Sequence, residues 1–258
     1  MNIPTIILSG GIGYRLKEET EFKPKPMIEI GGKPILWHIM KIYGHHGFNR
    51  FIIALGYKGN LIKDYFIGKK YYDGDFTLNA KSGRIIHHRG RDVDDFKITF
   101  VDTGIESLTG ERVRQLKKYI NTDIFMVTYG DGLSNIDIKA LVKEHKKTGV
   151  WATISGVHPP LKYGGFEKNK RGKVESFQKR AVIKQLINGG YMVFNRKILD
   201  MIPHDSMIED IFDELIAKNR LNVYEHKGFF HAMDTYQDVD DLNKTWKGDK
   251  TAPWKIWA

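Results

Sequence analysis

Glycines, one arginine, one lysine and two aspartates are the residues of this sequence best suited to handling a phosphorylated ligand. Most of them fall near the N-terminus, where Leu8 to Met27 reads LSGGIGYRLKEETEFKPKPM. Gly10, Gly11 and Gly13 let main-chain N–H groups approach a ligand closely, and Arg15 adds a fixed positive charge. Lys25 stands between Pro24 and Pro26, whose rings restrain the main chain so that ordering the lysine costs less entropy. Together these features point to a phosphate cradle. Two common cradles are excluded by spacing: Gly32-Lys33 is followed by Pro34, and a G-x-G-x-x-G series starting at Gly11 breaks at Leu16.

The aspartates bring a second chemistry. Asp131 lies in YGDG, Tyr129 to Gly132, at the end of an apolar run and between glycines that permit close approach; Asp234 lies in MDT, Met233 to Thr235. Taken singly, each is as well explained by a turn or a helix cap, with Thr235 starting the next helix. As a pair beside a phosphate loop they suit Mg2+, a hard cation that takes one or two carboxylates and fills its shell with phosphate oxygens and water.

A scaffold must deliver these residues, and the chain's periodicity describes one. Thr5 to Leu8 is a short β-rich run. Pro34 to Tyr43 carries Ile35, Leu36, Ile39, Met40 and Tyr43 at helical spacing, with Pro34 suited to the first turn. Arg50 to Gly56 predicts a buried strand and Asn60 to Phe66 a helix, followed by short strand-like pieces between Phe76 and Val101. A helix over Glu111 to Ile120, a buried strand within Ile124 to Gly132, a helix from an Asp137 cap to His145 and a strand in VWATISGV come next. The alternation predicts an α/β fold, a Rossmann-like and mostly parallel sheet with helices on both faces. Ligands of such sheets bind beyond the carboxyl ends of the strands, where the loop leaving the first strand lies. After Pro159 and Pro160 the segments YGGF, KVESF and INGGYMVFN predict a β-rich elaboration around 159–195 within a single domain spanning 1–258. Ser206 with Glu209 predicts a capping box opening a helix through Ile216, and LNVYEH a late strand.

Composition narrows the function classes. A chain of 258 residues buries a full core, and no apolar run approaches the roughly 18 residues of a membrane span. The start MNIPTIIL has neither a basic n-region nor a small-residue cleavage site, so the expected location is the cytoplasm, away from membranes. The absence of cysteine excludes disulfides, thiolate zinc sites and a cysteine nucleophile. The net charge of +10 is largely local, because Leu161 to Lys184 holds eight Lys or Arg against Glu167 and Glu175. A solvated hairpin or an anionic small substrate accounts for that surplus; nucleic acid is not expected, since interleaved aromatics and a binding module are lacking.

The segment LSGGIGYRLKEETEFKPKPMIEIGGKPILWHIM resembles the N-terminal signature of the sugar-phosphate nucleotidyltransferases, usually written GGxGTRLxxxT with KPKPM. The match continues through VDTG, LTGERV, TYGDG, INGG, GFFHAMDT and APWKIW over nearly the whole chain, and the tail and length resemble the cytidylyl branch. That resemblance implies the nucleotide-diphospho-sugar transferase type of fold and a Mg2+-dependent reaction. A sugar 1-phosphate, with glucose 1-phosphate the leading acceptor, attacks the α-phosphorus of CTP and gives CDP-glucose and diphosphate. It implies nucleotide contacts from Leu8, Ser9, Gly10, Gly11, Ile12, Gly13, Tyr14 and Gly130. Arg15 would hold the β and γ phosphates, Lys25 would neutralise the α-phosphate, and Asp131 and Asp234 would hold the metal. Asn188 and Gly189 match the family's sugar contacts, with Lys179 gripping the acceptor phosphate. Thr109 and Arg112 match residues that reach a nucleotide in a neighbouring subunit, and a solvated helix start explains them equally well. A homo-oligomer, a hexamer by resemblance, is expected; Trp254 and Trp257 in the tail are either its interface or packed on the chain's own surface.

Two departures bear on specificity. Tyr14 stands where the family has threonine, and SFQKRAVIKQ stands where it reads SFQEKP. Without the glutamate, and with Lys179, Arg180 and Lys184 near the proposed acceptor site, the pocket is expected to favour groups that accept hydrogen bonds or carry negative charge. Another phosphorylated metabolite in place of glucose 1-phosphate, or a non-catalytic nucleotide or RNA binder, are the alternative readings.

Overall fold

Unbroken apolar runs in the sequence become strands covered on both faces. The computed structural model describes residues 2–72, 75–88, 94–159, 164–179, 185–247 and 251–257, with the main chain alone for residues 15, 17, 18 and 69–72. Seven strands form the central sheet: β1 (Thr5–Ser9), β2 (Arg50–Leu55), β3 (Lys97–Asp102), β4 (Ile124–Tyr129), β5 (Ala152–Val157), β6 (Ile187–Asn195) and β7 (Leu221–His226), in the spatial order β7-β5-β6-β4-β1-β2-β3. Ile7, Phe51, Ile53 and Met126 pack on one side of the sheet, and Ile6, Leu8, Ile52, Ala54, Phe125 and Val127 on the other. That alternation between two cores is why neither face leaves a polar imprint in the strand sequences.

The first core is closed by helices α1 (Ile35–His45), α2 (Gly59–Tyr72), α4 (Ile138–Thr148) and α6 (Tyr236–Lys247), which contribute Ile39, Ile62, Leu141 and Leu242 among others. The second is closed by α3 (Thr109–Gln115) and α5 (Phe212–Ala217) through Val113 and Leu215. From β1 the chain builds outward to β2 and β3, then crosses to lay β4 on the other side of β1. The loops leaving β1 and β4 therefore diverge at the carboxyl ends of adjacent parallel strands, the place where sheets of this kind open a crevice.

The expected elaboration over 159–195 is corrected by the structure. β6 is a central strand, antiparallel to both β4 and β5, and its Tyr191 to Phe194 are buried. What stands apart among the described residues is a hairpin pairing Gly165–Lys168 with Val174–Gln178, its exposed Phe166 and Phe177 rings 4.8 Å apart. Asp137 caps α4 as expected, accepting from Ala140 N at 2.9 Å. The capping box expected from Ser206 and Glu209 lies one residue later. Met207 N donates to Asp210 Oδ2 at 2.8 Å, while the Ser206 hydroxyl turns back to Pro203 O.

The C-terminal tail is covered by its own chain. Trp254 is fully buried, stacked near Trp246 and Phe229, and donates to His38 Nδ1 at 3.4 Å; His38 Nε2 in turn lies 2.8 Å from Ile30 O. These two contacts together need a neutral imidazole. Burial depresses the His38 pKa to about 4, and burial does the same to His145, which lies 3.0 Å from Thr153 Oγ1. A histidine that titrates lower folded than unfolded stabilises the fold fully above its ordinary value near 6.5, and loses that contribution as pH falls towards about 4. The melting temperature should therefore fall between pH 7 and pH 5, before most carboxylates titrate. A flat profile across that interval would contradict the neutral burial of these two rings.

Candidate active site

The glycine loop leaves β1 with its first carbonyl committed. Gly10 O accepts from Tyr57 N at 3.0 Å and from Arg112 Nη2 at 3.1 Å, and Gly10 to Gly13 line the cleft. Gly13 has φ +72°, and a Cβ there would lie 3.0 Å from Thr20 Cγ2 and 3.3 Å from Lys25 Cβ, so a larger residue would be strained and crowded. Thr20 fastens the far side of the loop by donating to Leu16 O at 3.1 Å and Gly13 O at 3.3 Å. Lys25 opens a 3₁₀ turn, Lys25–Met27, behind Pro24 at φ −68°. The proline-flanked lysine is thus rigid at its root.

Two segments far apart in sequence meet the tip of that lysine. Beyond β4, Gly132–Ser134 pairs antiparallel with Phe230–Ala232, and Met233 N donates to Asp131 O at 2.9 Å. This pairing sets Asp131 and Asp234 side by side. Lys25 Nζ lies 2.6 Å from Asp131 Oδ2 and 2.9 Å from Asp234 Oδ1. Burial by itself works against the ammonium charge, but Asp131 with Asp234 outweighs it and raises the Lys25 pKa. Asp234 is held from behind by a capping arrangement: Asp238 accepts from Asp234 N at 3.0 Å and from Thr235 N at 2.7 Å. Thr235 immediately precedes α6, so cap and carboxylate sit on adjacent residues. Gly130 is required by close approach, since a Cβ would meet Leu8 O and Pro26 Cγ, each at 2.9 Å.

Around this cluster lies a cleft of about 400 Å³, lined by Leu8 to Tyr14, Lys25, Pro26, Ile105 to Thr109, Arg112, Tyr129 to Asp131 and Met207. Such a volume suits a nucleotide-sized ligand. The donor set fits a hard cation. The Asp131 and Asp234 side chains remain 29% and 35% exposed, and both offer only oxygen. Among the described residues no group of three or more His, Cys, Asp or Glu gathers, so a cation held here would complete its shell from phosphate and water.

Arg112 lines the cleft and is anchored within its own chain. It is 3% exposed, and its guanidinium is spent on its own chain: Nη1 donates to Leu55 O at 3.1 Å, Thr103 Oγ1 at 2.7 Å and Gly104 O at 2.7 Å, and Nη2 to Gly10 O at 3.1 Å and Ile105 O at 3.0 Å. One planar fork therefore joins the carboxyl ends of β1, β2 and β3. Thr109 is likewise engaged, its Oγ1 accepting from Ile208 N at 3.0 Å, and the Gly110 and Glu111 N–H groups donate to Ser206 O. The helix start is bound to its own chain rather than solvated, and it brings both residues to the wall of the cleft.

On the β6 side, Asn188 Oδ1 accepts from Gly190 N at 2.8 Å, and Gly190 has φ +76° where a Cβ would lie 2.7 Å from Tyr129 Cδ2. Gly189 faces Ser155, where β5 shifts register against β6, and a Cβ would lie 2.7 Å from Ser155 Oγ. The INGG segment is thus an irregular strand end, and it sets Asn188 against Glu209, which also holds the cleft residue Tyr129. Lys179 is exposed at the end of the hairpin, and no described contact ties it to the cleft. The side chain of Arg15, and Arg180 and Lys184 altogether, lie outside the described residues. Sequence reasoning missed Ile105 to Leu108 and Met207 as cleft walls, and Tyr129 as a wall in its own right. The usable signal was position, since Ile105 to Leu108 follow the third parallel strand and Tyr129 ends the fourth.

Comparison with known proteins fits this geometry. The family model described as nucleotidyl transferase matches residues 4–251. The glucose-1-phosphate cytidylyltransferase of Salmonella typhimurium is 42% identical over 257 residues, covering 98% of both chains. A probable glucose-1-phosphate cytidylyltransferase of Bacillus subtilis is 40% identical, covering 98% of this chain and 99% of that one. Among solved structures, HddC from Yersinia pseudotuberculosis complexed with GMP-PN superposes with a TM-score of 0.69 at 25% identity, over 95% of this chain and all of that one.

The Arg112 hub makes a prediction about stability. Arg112→Met strands several buried carbonyls at once, each costing about 1–3 kcal/mol when unpaired. The melting temperature should drop by roughly 5 °C or more, and Arg112→Lys should restore only part of it, since an ammonium cannot span the fork. Melting curves within about 2 °C of the native chain for Arg112→Met would remove the hub from this role.

Proposed function

The chain belongs to the nucleotidyl transferase family, and from that membership we propose that it transfers the cytidylyl group of CTP to the phosphate of glucose 1-phosphate, giving CDP-glucose and diphosphate. The observation that carries this reading is the meeting of Lys25, Asp131 and Asp234 at the mouth of the glycine loop, in a chain 42% identical end to end to a glucose-1-phosphate cytidylyltransferase. A binding module has no use for an ammonium and two carboxylates converging from three distant segments. A transferase does.

In this reading the glycine-loop N–H groups and Arg15 receive the triphosphate, with Leu8 to Tyr14 and Gly130 forming its bed. An oxygen of the sugar phosphate bonds to the α-phosphorus as the bond from that phosphorus to the bridging oxygen of the diphosphate breaks. Both reacting phosphates are anions, so no proton has to move, and catalysis rests on positioning and charge stabilisation. Lys25 is the cation at the α-phosphate, kept charged by its carboxylate partners. Asp131 and Asp234 would hold Mg2+, which supplies Lewis-acid neutralisation of phosphate charge. Asn188, Gly189 and Lys179 would meet the acceptor.

Assembly as a homo-oligomer, a hexamer by resemblance, belongs to the same proposal, although the burial of Trp254 within its own chain removes that indole as a reason for it. No helix among the described residues is long and apolar enough to cross a membrane. A cytoplasmic enzyme drawing on soluble CTP is the matching proposal.

Diphosphate release from a panel of NTPs and phosphorylated acceptors tests the function: CTP with glucose 1-phosphate should give the highest kcat/KM. A higher value for another nucleotide or acceptor would overturn the assignment. Within it, Lys25→Ala should lower kcat by roughly 10² to 10³, the usual loss on removing a preorganised electrostatic contact. An effect confined to KM would recast Lys25 as a uniform binding residue.

A further inference from the structure

Glu209 was expected to serve a helix cap, and the shift of the capping box to Met207 and Asp210 leaves its carboxylate for another purpose. Its Oε1 accepts two hydrogen bonds, from the Tyr129 hydroxyl and from Asn188 Nδ2 at 3.3 Å. Its Oε2 is buried and bonds to none of the described residues. A phenol carries its proton at neutral pH, so in its bond to Glu209 the Tyr129 hydroxyl is the donor. The second anchor of Asn188 is the Gly190 N–H at its Oδ1, which fixes which end of the amide is oxygen. An ionised carboxylate can only accept, so both neighbours must turn a donor towards it.

That constraint fixes what the pair can offer a ligand. Tyr129 spends its only O–H on Glu209, which leaves its oxygen as an acceptor at the wall of the cleft. Asn188 spends one N–H on Glu209 and keeps the other as a donor on its exposed side. An acceptor and a donor held by one oxygen stand close enough to meet a single ligand group that both donates and accepts. A hydroxyl does so; a second phosphate or carboxylate, which only accepts, meets the Tyr129 oxygen unfavourably. We propose that Glu209 is a positioning residue that sets the polarity of Tyr129 and Asn188, so that the acceptor side of the cleft reads a sugar hydroxyl rather than a second anionic group. This inference rests on the cytidylyl-transfer reading and deepens it. It also runs against the preference for an anionic acceptor expected from Lys179, Arg180 and Lys184.

Glu209→Gln keeps the shape but can present an N–H where the carboxylate accepted, which releases both neighbours from their fixed roles. The KM for glucose 1-phosphate should rise roughly tenfold or more while the KM for CTP stays within about twofold. The combined Glu209→Gln, Tyr129→Phe variant should lose little beyond the larger single loss, because Tyr129 acts through Glu209. Monodeoxy derivatives of glucose 1-phosphate give the second readout: the native enzyme should discriminate sharply against the loss of one hydroxyl, and Glu209→Gln should not. An unchanged acceptor KM, or equal rises in both KM values, overturns the positioning role while leaving cytidylyl transfer intact. Absence of diphosphate release from the native chain with CTP and every sugar phosphate overturns the functional reading, and this inference with it.

Discussion

A half-buried ammonium that must keep its charge is the interaction on which the rest of this site depends. Lys25 is withdrawn from water, which alone would favour losing the proton, and it stays charged because Asp131 and Asp234 both reach it. Neither carboxylate is near Lys25 in sequence. Bringing them there requires β4 to lie directly beside β1 and the strand Phe230–Ala232 to pair with the segment after Asp131. The sheet order, the crossover after β3 and the late return of the chain therefore all serve one electrostatic contact. In exchange, the cluster presents positive and negative groups within one small volume, the arrangement that handling a metal-bound polyphosphate calls for.

The glycine-loop side of the cleft depends on a different cation. Arg112 collects carbonyls from the carboxyl ends of three successive strands. The oxygens that strand ends leave unpaired would otherwise need water, and a planar fork at the wall of the cleft satisfies several of them. Gly10 and Gly56 are both packed against this guanidinium, and a side chain at either would collide with it or with the neighbouring main chain. The glycine loop is thus open towards a ligand because it is closed against its own scaffold.

How far the sequence shows all this follows from where each signal lies. The buried strands Thr5–Ser9, Arg50–Leu55 and Ile124–Tyr129 were legible because a sheet covered on both faces leaves continuous apolar runs. The proline-flanked Lys25 and the glycine-flanked Asp131 were legible as local chemistry. Asp234 looked like a helix cap, and it does sit beside one; only the pairing of Gly132–Ser134 with Phe230–Ala232 turns it towards Lys25. β6 was hidden because INGG starts it irregularly, with Gly190 at positive φ, so a central strand reads like part of an insert. The partners of Arg112 and Glu209 were hidden for one reason. An exposed charge and a charge spent on internal hydrogen bonds look alike in sequence, and only the fold shows which partners reach it.

The central claim is that Asp131 and Asp234 act jointly on a nucleotide-bound divalent cation beside Lys25. Electron paramagnetic resonance of Mn2+, titrated into the intact chain with a non-hydrolysable CTP analogue, tests it without relying on turnover. The account predicts one tightly bound Mn2+ per chain that requires the nucleotide, and weakening by roughly tenfold or more in each of Asp131→Asn and Asp234→Asn. Mn2+ binding that is unchanged in both variants, or indifferent to the nucleotide, would contradict it.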